Sequence, residues 1–152
     1  MAFTNPNFIT EAENEFGSQC IVVSLDAKKL NDGHYIFGNS GKDNTKLTAC
    51  DLSKIVEEKG AGEIFINSID NDGVMKGYDL ALIKKVREHV SVPLTVLGGA
   101  GTADDILNII DEYKIIGASA GSLFVFKGVY KAVLINYLPE LALQKIRQIS
   151  KT

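Results

Sequence analysis

Short apolar runs, separated by polar stretches and by glycine, set the pattern of this chain. Residues 20–25 read Cys20-Ile21-Val22-Val23-Ser24-Leu25, apolar and β-branched with little alternation. A strand covered on both faces reads that way, which favours a parallel sheet. Similar runs at 64–69, 93–97 and 115–120 predict three further strands. Between them, apolar positions fall at helical spacing. Phe8, Ile9, Ala12 and Phe16 share one face behind Asn5 as cap and Pro6 at the first helical position, with Gly17 ending the helix. Leu47, Leu52, Ile55 and Val56 predict a helix over 47–59, stopped by Gly60. Asp79 caps a helix carrying Leu80, Ile83 and Val86, and Thr102 with Asp105 gives a capping-box-like start for one carrying Ile106, Ile109 and Ile110. Residues 141–149 predict a last helix, while 124–126 and 132–137 fit either state. Residues 28–45 are irregular, except that Asn31-Asp32-Gly33 between Lys28-Lys29-Leu30 and Tyr35-Ile36-Phe37 predicts a small hairpin.

The resulting order, α-β-α-β-α-β-α-β-α, implies right-handed βαβ crossovers and a parallel sheet within one α/β domain. Four strands make either a small doubly wound sheet or half of an eight-stranded barrel. A complete (βα)8 barrel takes about 250 residues, so a chain of 152 is short by roughly 100.

Composition narrows the function classes. The chain is 45% hydrophobic and 23% charged, with sixteen basic against nineteen acidic residues and a net charge of −3. A sustained basic face for nucleic acid is not expected, although a local anion site is compatible with this balance. No apolar stretch has the length of a membrane span, and the first six residues lack a basic segment leading into an apolar run, so cytoplasm is the expected compartment. Cys20 and Cys50 lack metal-ligand spacing and read as inert core or near-core thiols; His34 and His89 read as solvated.

In either parallel architecture, ligands bind where the strands end and the helices begin. The four strand ends here carry Asp26 with Lys28, then Asp70-Asn71-Asp72-Gly73, then Gly98-Gly99-Ala100-Gly101, then Gly121-Ser122. The glycines running into the Thr102-capped helix predict a phosphate cradle built from bare backbone N–H groups, with Gly121-Ser122 completing it. The alternative is that these glycines only permit tight turns. Asp26 is the acid–base candidate, because partial burial at a strand mouth raises a carboxylate's pKa toward working pH. A turn-capping aspartate is the other reading of that position. Asp70 to Gly73 begins like a calcium loop but lacks the later ligands and closing glutamate, so no metal site is expected.

Several of these motifs, in order and at matching intervals, carry a family resemblance. Phe16-Gly17-Ser18-Gln19, Val22-Val23-Ser24-Leu25-Asp26-Ala27-Lys28, Gly60-Ala61-Gly62-Glu63-Ile64, Ser68-Ile69-Asp70-Asn71-Asp72-Gly73, Gly77-Tyr78-Asp79 and Gly98-Gly99-Ala100-Gly101 resemble the cyclase subunit of imidazole glycerol phosphate synthase. The resemblance implies a four-stranded parallel C-terminal half of a (βα)8 barrel. Residues 1–152 would form a single half-barrel domain of units 5–8, preceded by one helix. It further implies a lyase of histidine biosynthesis, without cofactor or metal. With ammonia from a glutaminase subunit, the family cleaves and cyclises a phosphoribulosyl-formimino aminoimidazole carboxamide ribonucleotide. Imidazole glycerol phosphate and aminoimidazole carboxamide ribonucleotide leave as products.

By the same resemblance, Asp26 is one of two catalytic aspartates, and Asn67 and Asp72 line the barrel mouth beside it. Gly73, Gly99, Gly121 and Ser122 hold a substrate phosphate, while Gln19 and Glu63 lie toward the opposite end, where the glutaminase docks and ammonia enters. The second aspartate and second phosphate site belong to the other half, so the isolated chain is expected to be inactive. It is also expected to self-associate or to pair with an N-terminal half-barrel. Leu97 stands where histidine-pathway members carry serine, and the stretch after Ser122 departs from the usual tail. Both resemble a second-copy subfamily associated with surface-polysaccharide genes, whose role is to supply ammonia for sugar amidation. A non-catalytic phosphate-binding half-barrel is the third possibility.

Overall fold

The computed structural model describes residues 2–113, 117–128 and 130–149. Helix α1 (Asn7–Phe16) and a 3-10 turn (Ser18–Cys20) lead into β1 (Val22–Leu30), β2 (Gly33–Gly38), β3 (Asp43–Thr48) and α2 (Ala49–Glu58). There follow β4 (Glu63–Ser68), α3 (Leu80–Arg87), β5 (Leu94–Leu97), α4 (Ala103–Tyr113) and β6 (Gly117–Ala118). Beyond these lie the single turn α5 (Ser122–Val125), the two-residue strands β7 (Phe126–Lys127) and β8 (Ala132–Val133), and α6 (Glu140–Ile149).

Strands β1, β4, β5 and β6 are parallel neighbours in that order, the four-strand sheet expected for part of a (βα)8 barrel. Burial alternates along β1 as far as Ala27 and along β4 and β5. Val23, Leu25 and Ala27 of β1, Ile64, Ile66 and Ser68 of β4, and Leu94 and Val96 of β5 are buried against the helices. With Leu52 and Val56 of α2, Leu82, Ile83 and Val86 of α3, and Ile106 and Ile109 of α4, they form one core. The intervening residues (Val22, Ser24 and Asp26, then Glu63, Phe65 and Asn67, then Thr95 and Leu97) share the other face and are partly or fully exposed. The expectation of strands covered on both faces is thus met on one face only, because the described chain supplies helices to one side of the sheet.

Other elements depart from expectation for local reasons. The first strand does not end at Asp26. It runs on to Leu30, pairing with β4 from Val22 to Ala27 and antiparallel with β2 from Asp26 to Leu30. The hairpin is therefore an extension of the main sheet, and Asp26 sits where β1 changes partners. A further antiparallel strand, β3, forms where the sequence predicts irregular chain to Thr45 and a helix from Leu47; it pairs with β2 through a register shift, helped by Thr45 Oγ1 donating to the Ile36 carbonyl at 2.7 Å. Leu47 belongs to that strand, so α2 begins at Ala49, capped by Thr48 Oγ1 accepting from Asp51 N–H at 3.1 Å. Of the fourth predicted strand, residues 115 and 116 lie outside the described residues, and Gly117–Ala118 pairs with Thr95 and Val96. Helix α1 forms where predicted, yet of its apolar face only Ile9 is buried; Phe16 is 63% exposed.

Candidate functional site

At the carboxyl end of the parallel sheet, the strand register puts Asp26, Asn67 and Leu97 side by side on the exposed face. Asn67 Nδ2 donates to Asp26 Oδ1 at 3.0 Å, across the β1–β4 boundary. Asn67 Oδ1 is buried without a partner among the described residues. The clamp fixes one carboxylate oxygen of Asp26 and orients the other for a second donor. Asp26, Ser40, Gly41, Asn67, Ile69 and Asp72 surround an open cavity of about 290 Å³. The structure thus brings three of the predicted residues (Asp26, Asn67 and Asp72) to one cavity and adds Ser40 and Gly41, which the sequence reading passed over. Their signal was present in the Gly38-Asn39-Ser40-Gly41 run. Asn39, Ser40 and Gly41 have φ values of 49°, 56° and 79°, a run of left-handed backbone that turns the β2–β3 loop over the cavity.

Around this cavity the loops that follow the strands are stitched together. After β4, Asp70 Oδ2 accepts from Lys29 N–H at 2.7 Å, which commits that carboxylate to the hairpin. Asp72 N–H donates to the Ser68 carbonyl at 3.0 Å, and Asn71 Nδ2 donates to the Gly77 carbonyl at 3.2 Å. Gly77 N–H in turn reaches the Gly99 carbonyl at 2.8 Å. Tyr78 Oη donates to the Ser119 carbonyl at 2.9 Å, tying in the loop after β6. Burial pushes the Tyr78 hydroxyl far above the ordinary tyrosine range, reinforced by the charge of Asp105, so it remains a donor. These contacts explain two glycines directly. A side chain at Gly99, with φ of 110°, would overlap the Gly77 carbonyl, and one at Gly101 would overlap the Met75 carbonyl.

Of the predicted phosphate set, Gly73 and Ser122 face each other: a Cβ built at Gly73 would stand 4.0 Å from Ser122 Oγ. Gly99 lies against Gly77 and Asn71 in the neighbouring loop. Gly121 has open space around its Cα and a negative φ of −105°. One part of the cradle is corrected. Asp105 Oδ2 accepts from Gly101 N–H, Thr102 N–H and Thr102 Oγ1, each at 2.9 Å. An internal carboxylate thus sits at the start of α4, as its macrodipole favours, and the Gly101 and Thr102 amides that lead into the helix are taken by it rather than left for a ligand anion.

Gln19 and Glu63 lie at the opposite, amino end of the sheet: Glu63 pairs in register with Val22, and Gln19 is in the 3-10 turn before β1. Glu63 Oε1 accepts from Thr95 Oγ1 at 2.6 Å on the exposed face. Two further readings are corrected. His34 is 7% exposed rather than solvated, and its Nε2 lies 2.9 Å from Asp79 Oδ2 while Asp79 Oδ1 caps α3 through Leu82 N–H. Cys20 is exposed rather than in or near the core, whereas Cys50 is half-buried, as a near-core thiol would be, and its thiol pKa is pushed up, by burial first and by Asp51 second.

Comparison with known proteins places the chain in a family. The sequence model of the family described as "Histidine biosynthesis protein" matches residues 1–131. A Vibrio vulnificus protein provisionally named imidazole glycerol phosphate synthase subunit hisF3 is 51% identical over 137 residues, 89% of this chain and 53% of that protein. A Leptospira interrogans protein, provisionally named imidazole glycerol phosphate synthase subunit HisF, is 49% identical over 139 residues, 90% of this chain and 55% of its own length. The imidazole glycerol phosphate synthase subunit HisF of Natranaerobius thermophilus is 42% identical over 139 residues, covering 91% of this chain and 55% of that protein. The chain spans about half the length of the curated relatives it matches. On a family match across most of its residues and on these identities, the chain belongs to the histidine biosynthesis protein family.

Proposed function

We propose that these residues act as the C-terminal half of the cyclase-type subunit of imidazole glycerol phosphate synthase. That enzyme is a lyase using glutaminase-derived ammonia to convert a phosphoribulosyl-formimino aminoimidazole carboxamide ribonucleotide to imidazole glycerol phosphate and aminoimidazole carboxamide ribonucleotide. The observation that carries the proposal is Asp26, held by Asn67 at 3.0 Å on a cavity that Asp72 also lines, with Gly73 next in sequence facing Ser122. In this reading Asp26 is the acid–base group of this half, and the second carboxylate comes from the other half. Asn67 holds the Asp26 carboxylate in line, and Asp72 lines the substrate's approach. Gly73, Gly99, Gly121 and Ser122 take one substrate phosphate. Gln19 and Glu63, at the far end, lie on the face that receives ammonia and the glutaminase.

The complementary half, joined to this chain or separate from it, covers the exposed sheet face. Three features support such a counterpart. Among the described residues, β6 pairs only with β5, and β1 has no partner beside Val22–Leu25 on the side away from β4. Val22 is 55% exposed. Phe8, Ile9, Ala12, Ile21 and Val22 line an apolar groove of about 420 Å³ along that free edge. Unpaired edges beside apolar surface are sites of strand addition. The test is ammonia-dependent product formation by the chain mixed with the N-terminal half of one of its curated relatives. Turnover is expected in the mixture and not in either part alone; a stable complex without turnover would refute the cyclase assignment.

A second reading is favoured by Leu97, an apolar side chain beside Asn67 on the rim. Here the same fold and glutaminase partner supply ammonia for sugar amidation and the cyclase chemistry is idle. Under it, Asp26→Asn leaves ammonia delivery unchanged.

A further inference from the structure

A second cavity, of about 490 Å³, opens beyond the Asp26 rim between the loop after β4 and the β7–β8 ribbon. Lys76 comes from the loop, Lys127 and Lys131 from the ribbon, and Leu123 and Phe126 form its apolar floor with Gly101 beneath. Among the described residues, no acidic side chain lines it. Asp105, whose Oδ2 accepts from the N–H of the lining residue Gly101, is engaged by the Gly101 and Thr102 amides. In a chain of net charge −3, three ammonium groups thus gather around one cavity with no carboxylate among its described lining residues. The backbone is bent to bring them there: Met75, Lys131 and Gly128 have φ values of 59°, 47° and 73°, and Lys131 N–H closes the ribbon turn on the Gly128 carbonyl at 3.0 Å.

Like charges at close range repel unless an anion joins them, and lysine serves phosphate as a point charge without demanding a fixed fork geometry. The volume lies in the range that holds a nucleotide-sized small molecule, and the apolar floor gives such a ligand a non-polar surface to lie on. The pocket shares no residue with the Asp26 cavity. It adjoins the Gly73–Ser122 contact through the chain, since Val74 to Lys76 follow Gly73 and Leu123 follows Ser122.

We propose that Lys76, Lys127 and Lys131 form a binding pocket for a phosphomonoester of sugar-phosphate or nucleotide size, distinct from the site built around Asp26. The proposal does not depend on the cyclase reading. Three side chains that are each exposed contribute little singly, so the effect resides in their convergence and falls with added salt.

The test is calorimetric titration of the full chain with ribose 5-phosphate, with ribose as the neutral control, at low and high ionic strength. Binding is expected for the phosphate alone and is expected to weaken with salt. Replacing all three residues (Lys76→Gln, Lys127→Gln, Lys131→Gln) is expected to weaken it about tenfold or more. The triple change Lys46→Gln, Lys54→Gln, Lys84→Gln, at exposed positions elsewhere, is expected to leave it within about twofold. Gly121→Asp, which fits its open space without strain, places a carboxylate in the glycine site and is expected to spare this binding. The proposal is overturned if ribose 5-phosphate fails to bind, if the pocket triple variant keeps full affinity, or if both triple variants lose it equally. It is also overturned if Gly121→Asp alone abolishes binding, which would assign the ligand to the glycine site and leave the cyclase reading standing.

Discussion

The two faces of the central sheet carry the same strands to opposite ends. On the helix side, Ile64, Ile66, Leu94 and Val96 are at most 1% exposed and join a core with α2, α3 and α4. On the other side, Val22, Ser24, Asp26, Phe65, Asn67 and Leu97 are left partly or fully open. The first face is complete within the described residues and holds the fold; the second presents chemistry and an uncovered apolar surface together. Stability and proposed function are thus separated by a single residue step along each strand, because successive side chains point to opposite faces.

The comparison is tested most severely by changing each face in turn. In the protein completed by its other half, Asp26→Asn removes the proposed proton-transfer group and is expected to lower turnover by roughly 10²–10⁴-fold, measured as kcat, without altering the unfolding midpoint of the isolated chain. An equal loss of thermal stability would mean that Asp26 holds the fold instead. One step along the sheet, Ile66→Ala is expected to cost about 2–5 kcal/mol in denaturant unfolding, because it opens a cavity in the covered core.

At the edge of that core, Glu57 Oε1 accepts from Ser91 N–H and Ser91 Oγ at 2.7 Å and from Val92 N–H at 3.0 Å. Burial acts to raise its pKa, but the hydrogen bonds from Ser91 and Val92 and the charge of Arg87 outweigh it, so the net shift is downward. A lowered native pKa means that the stabilising effect is present above the unfolded value, near 4.5, and is lost as pH falls through the lower native value. Glu57→Ala is expected to cost about 1–3 kcal/mol at neutral pH and to flatten the acid limb of the stability profile. Phe65→Ala, on the open face, is expected to have the smallest effect in the isolated chain, under about 1 kcal/mol, rising when the complementary half is bound. A large cost in the isolated chain would mean that the face is already covered.

How much of this was readable in advance follows the same division. The buried runs were legible because β-branched apolar residues cluster at 21–25, 64–66 and 94–97, and they implied the parallel sheet directly. The same runs suggested cover on both faces, as a sequence carries the apolar residues of a face whether or not its partner is present. Strand β3 was not legible: Asp43, Asn44 and Lys46 are polar, and the strand is held by pairing with β2 rather than by burial. His34 was misread as solvated although it alternates with Ile36 at the two-residue spacing of a buried strand face. Asp26 was legible as a strand-end carboxylate, but its clamp by Asn67 depends on the register of β1 against β4, which composition does not specify. The capping role of Asp105 was legible; its consequence, that the Gly101 and Thr102 amides are occupied from within, required the geometry of three donors on one oxygen.

The claim on which all of this turns is that the open face awaits a complementary half-barrel. Sedimentation equilibrium of the 152-residue chain, alone and with the N-terminal half of a curated relative, tests it directly. The expected result is self-association of the chain alone, replaced by a one-to-one complex in the mixture. A cooperatively folded monomer that ignores the added half would contradict it.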